Sequence, residues 1–191
     1  MIHLLAVEGG YQSFKLGSTE WLWLAFAGAS AVLAILVGFG LMKSVLAAPQ
    51  GSPKMQEIAK AIQEGAMAYL KRQFKTIAVI LIPLAVIVFL TATKTTKPVG
   101  ALGIHGLTKG QSGVFRTLAF IAGCVMSGLT GFIGMGLAVR GNVRTAAAAQ
   151  SGSMKDALSV AFRTGGVAGM FTVGLGLLGA TSIIMIFQTL E

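Results

Sequence analysis

Four long apolar stretches, about Trp21–Leu46, Ile77–Ala92, Phe115–Val139 and Val160–Phe187, constrain this 191-residue chain more than any other feature. A bilayer core is crossed by about 20 predominantly apolar residues in a helix. The first, third and fourth stretches meet that length by themselves. The second meets it only if its helix begins before Ile77. The sequence there obliges. Met55, Ile58, Ala59, Ile62, Ala66, Tyr69, Leu70 and Phe74 recur at helical spacing and form one apolar face. Lys54, Glu57, Lys60 and Glu64 stand three or four residues apart on another face, where opposite charges can pair. Ser52 followed by Pro53 supplies a cap and then proline at the first helical position. One helix over 54–92, charged first and apolar afterwards, crosses a membrane and also projects out of it. Such a projection points to work done at the water side. Pro83 lies inside it and is expected to kink it.

Composition agrees with a membrane chain. Charged residues make up 11% and mean hydropathy is +0.80, against about 25% charged residues in soluble domains. Net charge is +9, but the basic residues flank apolar spans and form no soluble patch, so nucleic-acid binding is not expected. The expected class is all-α: a polytopic membrane protein with four transmembrane helices, over about 21–46, 54–92, 115–139 and 154–188, and one unit from 1 to 191. Trp21 and Trp23 stand where amphipathic aromatics anchor at headgroup level. Ser153-Met-Lys-Asp156 resembles a capping box and opens the fourth helix. Residues 93–111, rich in glycine, read as an irregular external loop.

Basic residues set the orientation. Ten of them, including Lys60, Arg72, Arg140, Arg144 and Arg163, fall on the side of the first and third connections, and five fall on the other. Lysine and arginine concentrate in cytoplasmic loops, so connections 47–53 and 140–153 are expected inside the cell and both termini outside. Anionic lipid headgroups are the expected neighbours of this charge.

Small residues recur at intervals of four in the last two spans: Gly123, Ser127 and Gly131, then Gly165 and Gly169, then Gly176 and Ala180. Such stripes let helices approach closely in lipid. Gly131→Leu is therefore expected to hinder packing in the third span and to destabilise the assembled protein by a few kcal/mol. Gly174-Leu-Gly176-Leu-Leu-Gly179 matches a dinucleotide-binding pattern in letters. It has no preceding strand and no acidic residue about 20 positions on, so it reads as helix packing.

The chemistry-bearing residues are few. The carboxylates are Glu8, Glu20, Glu57, Glu64, Asp156 and Glu191. No pair lies one turn apart inside a span, whereas magnesium–phosphate chemistry needs several converging on the ions. No acidic residue sits mid-span, where proton pumps carry an ionisable group. His3 and His105 have no metal-ligand partner at useful spacing. Cys124, in an apolar span, reads as a packing residue. No catalytic, cofactor-binding or metal-binding residue is assigned. Arg140, Asn142 and Arg144 cluster where the third span meets water. They can meet headgroups, compensate a helix C-terminus, or help to attract or gate an anion.

Several segments resemble one family. Gln63-Glu-Gly-Ala-Met-Ala-Tyr-Leu-Lys-Arg-Gln-Phe74 resembles the second helix of membrane-bound, ion-translocating inorganic pyrophosphatases. Gly131-Phe-Ile-Gly-Met135 and Arg140-Gly-Asn-Val-Arg-Thr-Ala146 are similar to its third helix and the turn after it. Ala161-Phe-Arg-Thr-Gly-Gly166 and Gly174-Leu-Gly176 are similar to its fourth. The resemblance implies a homodimer with many more helices per subunit, in which the first four belong to an outer ring around the active site. It implies hydrolysis of pyrophosphate on magnesium at the cytoplasmic side, in some members with potassium, coupled to outward movement of protons or sodium ions. The family's aspartate-rich catalytic motif begins on the fifth helix and has no counterpart before Glu191. The segment is therefore expected to be scaffold, inactive alone and binding no cofactor itself. A stand-alone, non-catalytic four-helix membrane subunit is the alternative.

Overall fold

The computed structural model describes residues 17–92 and 109–190. Four helices account for almost all of them: α1 Ser18–Ala47, α2 Pro53–Leu90, α3 Lys109–Gln150 and α4 Met154–Leu190. Among the described residues there is no strand, and all four helices are long and apolar enough to cross a membrane.

The helix starts follow their caps. The Ser52 side chain accepts a hydrogen bond from the Met55 N–H at 3.4 Å, with Pro53 opening α2. The Ser153 hydroxyl accepts from the Asp156 N–H at 3.2 Å at the head of α4. Each cap satisfies an amide that the helix leaves unpaired. α2 passes through Pro83 and continues to Leu90; the ring removes only the bond that residue 83 would have donated to the Val79 carbonyl.

The third connection is shorter than the sequence reading. Residues 140–150, read there as connection, continue α3 without interruption. Ala146–Ala149 are strong helix formers and nothing before Ser151 breaks the backbone ladder. The turn itself is only Ser151–Ser153, where Gly152 takes φ +81°, a conformation that favours glycine.

α4 lies against both α1 and α3, and α2 packs on α3. The core sits where the first three of these meet: Val45 of α1, Leu137 of α3, and Val167 and Phe171 of α4 are buried together. Phe39 meets Phe171 edge-on, with ring centroids 5.0 Å apart. Glycines set how closely the helices approach. A Cβ at Gly174 would lie 2.6 Å from Ile35 Cγ1 and 3.1 Å from the Ala31 carbonyl oxygen. One at Gly141 would lie 3.1 Å from Thr164 Cβ. One at Gly113 would meet the Phe89 ring at 2.9 Å.

These are not the glycines picked out by four-residue spacing. Gly123, Gly131, Gly165, Gly169 and Gly176 have nothing within 4 Å of a Cβ position. Ser127 and Ala180 are exposed with them. Within this chain Gly131 faces away from the other three helices. Spacing identifies a smooth helix face but not which neighbour meets it, and α3 is glycine-rich on more than one side.

The packing predicts opposite outcomes for two glycines. Gly174→Leu should lower the stability of the chain in detergent by about 1–3 kcal/mol through overpacking against α1. Gly131→Leu should stay within about 0.5 kcal/mol of the parent. Thermal melting of both variants in the same detergent checks the pair.

Candidate functional site

The C-termini of α1 and α3 come together at one end of the molecule, with the α1–α2 and α3–α4 turns beside them. α1 ends at Ala47, before Pro49, and its last turn carries no basic residue of its own. Its final carbonyls therefore need donors from elsewhere. Arg144 of α3 provides them. Its Nε donates to the Ala48 carbonyl at 3.1 Å, and one terminal nitrogen donates to the Leu46 carbonyl at 3.1 Å. The other terminal nitrogen donates to Arg140 O at 2.7 Å, one turn back on α3. The residue is 6% exposed. A planar guanidinium can hold three divergent carbonyls at once; an ammonium offers only a point charge. A second tie runs from Arg163 of α4 to the Ser44 hydroxyl of α1 at 2.7 Å.

Of the three residues the sequence grouped here, the structure separates the roles. Arg144 compensates a helix C-terminus, as one reading allowed, but the helix is α1 and not its own. Arg140 is exposed beside it. Asn142 turns to a different surface, an apolar groove of about 260 Å3 that it shares with Met55, Ile58, Ile62 and Ala146. Lys60 of α2 faces the same space as Arg140 and Arg144; the sequence placed it in a charged face of α2 and among the basic residues that set orientation.

The acidic residues do not converge. Glu57 pairs with Lys54 at 3.1 Å on an exposed face. Glu20 lies in the first turn of α1 and Asp156 in the first turn of α4, near helix N-termini where negative charge is favoured. Among the described residues no three His, Cys, Asp or Glu side chains stand together as a metal site. Glu8, Glu191, His3 and His105 lie outside the described residues, as does 93–108 of the expected external loop. Cys124 is a free, half-buried thiol in α3. Gly174 of the dinucleotide-like pattern lies against α1, inside a helix.

Long apolar helices, α1–α2 and α3–α4 joined by short turns, with no converging carboxylates among the described residues, define a helical membrane unit. The sequence profile of the family described as Inorganic H+ pyrophosphatase matches residues 32–191. The chain belongs to that family. It is 42% identical over 161 residues to the K(+)-insensitive pyrophosphate-energized proton pump of Chloroflexus aurantiacus, covering 82% of this chain and 20% of that pump. To the pump of the same description from Streptomyces avermitilis it is 40% identical over 173 residues, 84% of this chain and 20% of the relative. For that of Methanosarcina mazei the figures are 38% over 145 residues, 76% and 19%. The chain thus spans about a fifth of the length of the curated relatives it matches.

Arg144 gives the site its clearest test. Arg144→Gln should lower thermal stability by about 1–3 kcal/mol, because it strands half-buried carbonyls at the end of α1. Arg144→Lys should recover only part of the loss. Equal melting temperatures for parent and both variants would show that the α1 terminus needs no such donor.

Proposed function

We propose that this chain is the amino-terminal scaffold of a pyrophosphate-energised proton pump. The observation that carries the proposal is the profile match over residues 32–191, joined to 42% identity with a pump of that description. The parent reaction is pyrophosphate plus water giving two phosphates, coupled to outward cation transfer. The relatives' names favour protons over sodium ions, and independence from potassium. In this reading the four helices form part of an outer ring in a homodimer, surrounded in part by lipid, and act as one unit over 1–191. The ten-to-five division of basic residues puts the shared end of α1 and α3 in the cytoplasm and both termini of the segment outside.

Magnesium, which pyrophosphate hydrolysis in this family implies, does not fit the donors of this segment. Glu57 is engaged with Lys54, Glu64 stands exposed on α2, and Asp156 stands at the head of α4. A hard divalent cation bridging phosphates takes carboxylate oxygens from converging side chains, and no such set forms among the described residues. No catalytic step is therefore assigned to any residue here. The role of the segment is to hold position: α4 fixes α1 and α3 at the core, and α2 carries an amphipathic half into water beside the basic end.

The purified 191-residue chain, given magnesium and pyrophosphate, should release no phosphate above a protein-free control. Release that scales with chain concentration would overturn the scaffold assignment.

A further inference from the structure

Lys60 of α2, Arg140 and Arg144 of α3, and the amides of Gln50, Gln56 and Gln63 line one cleft of about 560 Å3 at the shared helix ends. No carboxylate lines it. Among the described residues the ion pair found is Lys54–Glu57, so the three cations of the cleft have no acidic partner there. Glu64, one turn beyond Lys60, makes no such pair with it. Three like charges around one space repel each other, and each favours an anion between them. The site is also partly built in advance. Arg144 is buried and fixed by three main-chain acceptors. A guanidinium has five N–H donors, so two remain beyond those three bonds. The Gln56 amide is held by the Gly51 carbonyl at 3.0 Å and retains a second N–H.

We infer that this cleft binds the phosphate of an anionic phospholipid headgroup. Phosphate oxygens match forked guanidinium donors and accept from ammonium and amide groups alike. The apolar setting selects a lipid over a free anion. Leu46, Val139 and Val143 share the lining with the charged groups. Ala59, Val139 and Val143 also line the neighbouring apolar groove with Met55 and Ile62. The cleft is lined by Leu46 and Val139, where the apolar runs of α1 and α3 end and headgroups lie, and Lys60 reaches it from the half of α2 that leaves the membrane. The net charge of +9 draws the molecule to an anionic leaflet. The cleft contributes what diffuse charge cannot, a fixed position for one phosphate.

The test is titration of the detergent-solubilised chain with short-chain phosphatidylglycerol, phosphatidylcholine and inorganic phosphate, read by native mass spectrometry and by melting temperature. Phosphatidylglycerol should bind one per chain and raise the melting temperature; phosphatidylcholine should do neither. Lys60→Gln with Arg140→Gln leaves the Arg144 cap in place. It should weaken phosphatidylglycerol binding by about tenfold or more, since each cation near an anionic surface contributes on this scale. Lys54→Gln with Lys71→Gln removes equal charge outside the cleft and should leave binding unchanged. Equal loss in both double variants, or equal binding of the two lipids, would overturn the inference. Displacement of phosphatidylglycerol by millimolar inorganic phosphate would assign the cleft to a soluble anion and overturn the lipid. Should the cleft double variant fail to fold, Arg140→Gln alone carries the same comparison against Lys54→Gln.

Discussion

Close approach of helix backbones at glycine is the constraint on which the rest of this molecule depends. Lipid tails are as apolar as leucine, so burial of apolar surface drives helix association weakly inside a bilayer, and packing contacts carry it instead. α4 satisfies that demand on two sides. Gly174 lets Ile35 and the Ala31 backbone of α1 come close, and Gly141 admits Thr164 from α4 against α3. Phe171, Val167, Val45 and Leu137 fill the remaining space. The outward faces stay apolar: Leu22, Phe26, Ile82 and Phe162 are among many large side chains left exposed. A helix hydrophobic on all sides belongs in lipid or among further helices.

The long-range polar ties among the described residues that involve α1 lie at the end where α1 and α3 finish together. A helix terminus inside a protein must find donors for its last carbonyls, and Arg144 supplies them to α1 across nearly a hundred residues of sequence. The same side chain leaves a cationic space between α2 and α3. One interaction thus links fold and charge: the clamp that ends α1 also fixes a guanidinium at the shared end of α1 and α3. Among the described residues no carboxylate lines that space, and the curated relatives are about four times as long as this chain.

Local signals in the sequence were legible and long-range ones were not. The Ser52–Pro53 start and the Ser153 cap depend on atoms within three residues and could be read directly. So could the apolar runs, and the fold class with them. The helical continuation through 140–150 was partly visible in Ala146–Ala149. The packing faces were hidden. Gly131 and Gly174 look alike as letters, yet one is open and the other lies against α1; the difference resides in where α4 sits. Likewise nothing near Arg144 in sequence names Leu46 and Ala48 as its acceptors. Lys60 looked like one more charge on a charged face of α2, because its cleft partners come from another helix.

The most direct measurement is disulfide trapping between α3 and α4 in a Cys124→Ser background, with the products mapped by peptide mass spectrometry. Bridgeable cysteines have Cβ atoms about 3.5–4.5 Å apart, and a Cβ at Gly134 of α3 would stand 3.6 Å from that of Ala168 of α4. Gly134→Cys with Ala168→Cys should cross-link nearly completely under mild oxidation, and Gly131→Cys with Gly165→Cys should not cross-link within a chain. Trapping of the second pair in place of the first would contradict the account, because α3 and α4 would then meet through the small-residue stripes.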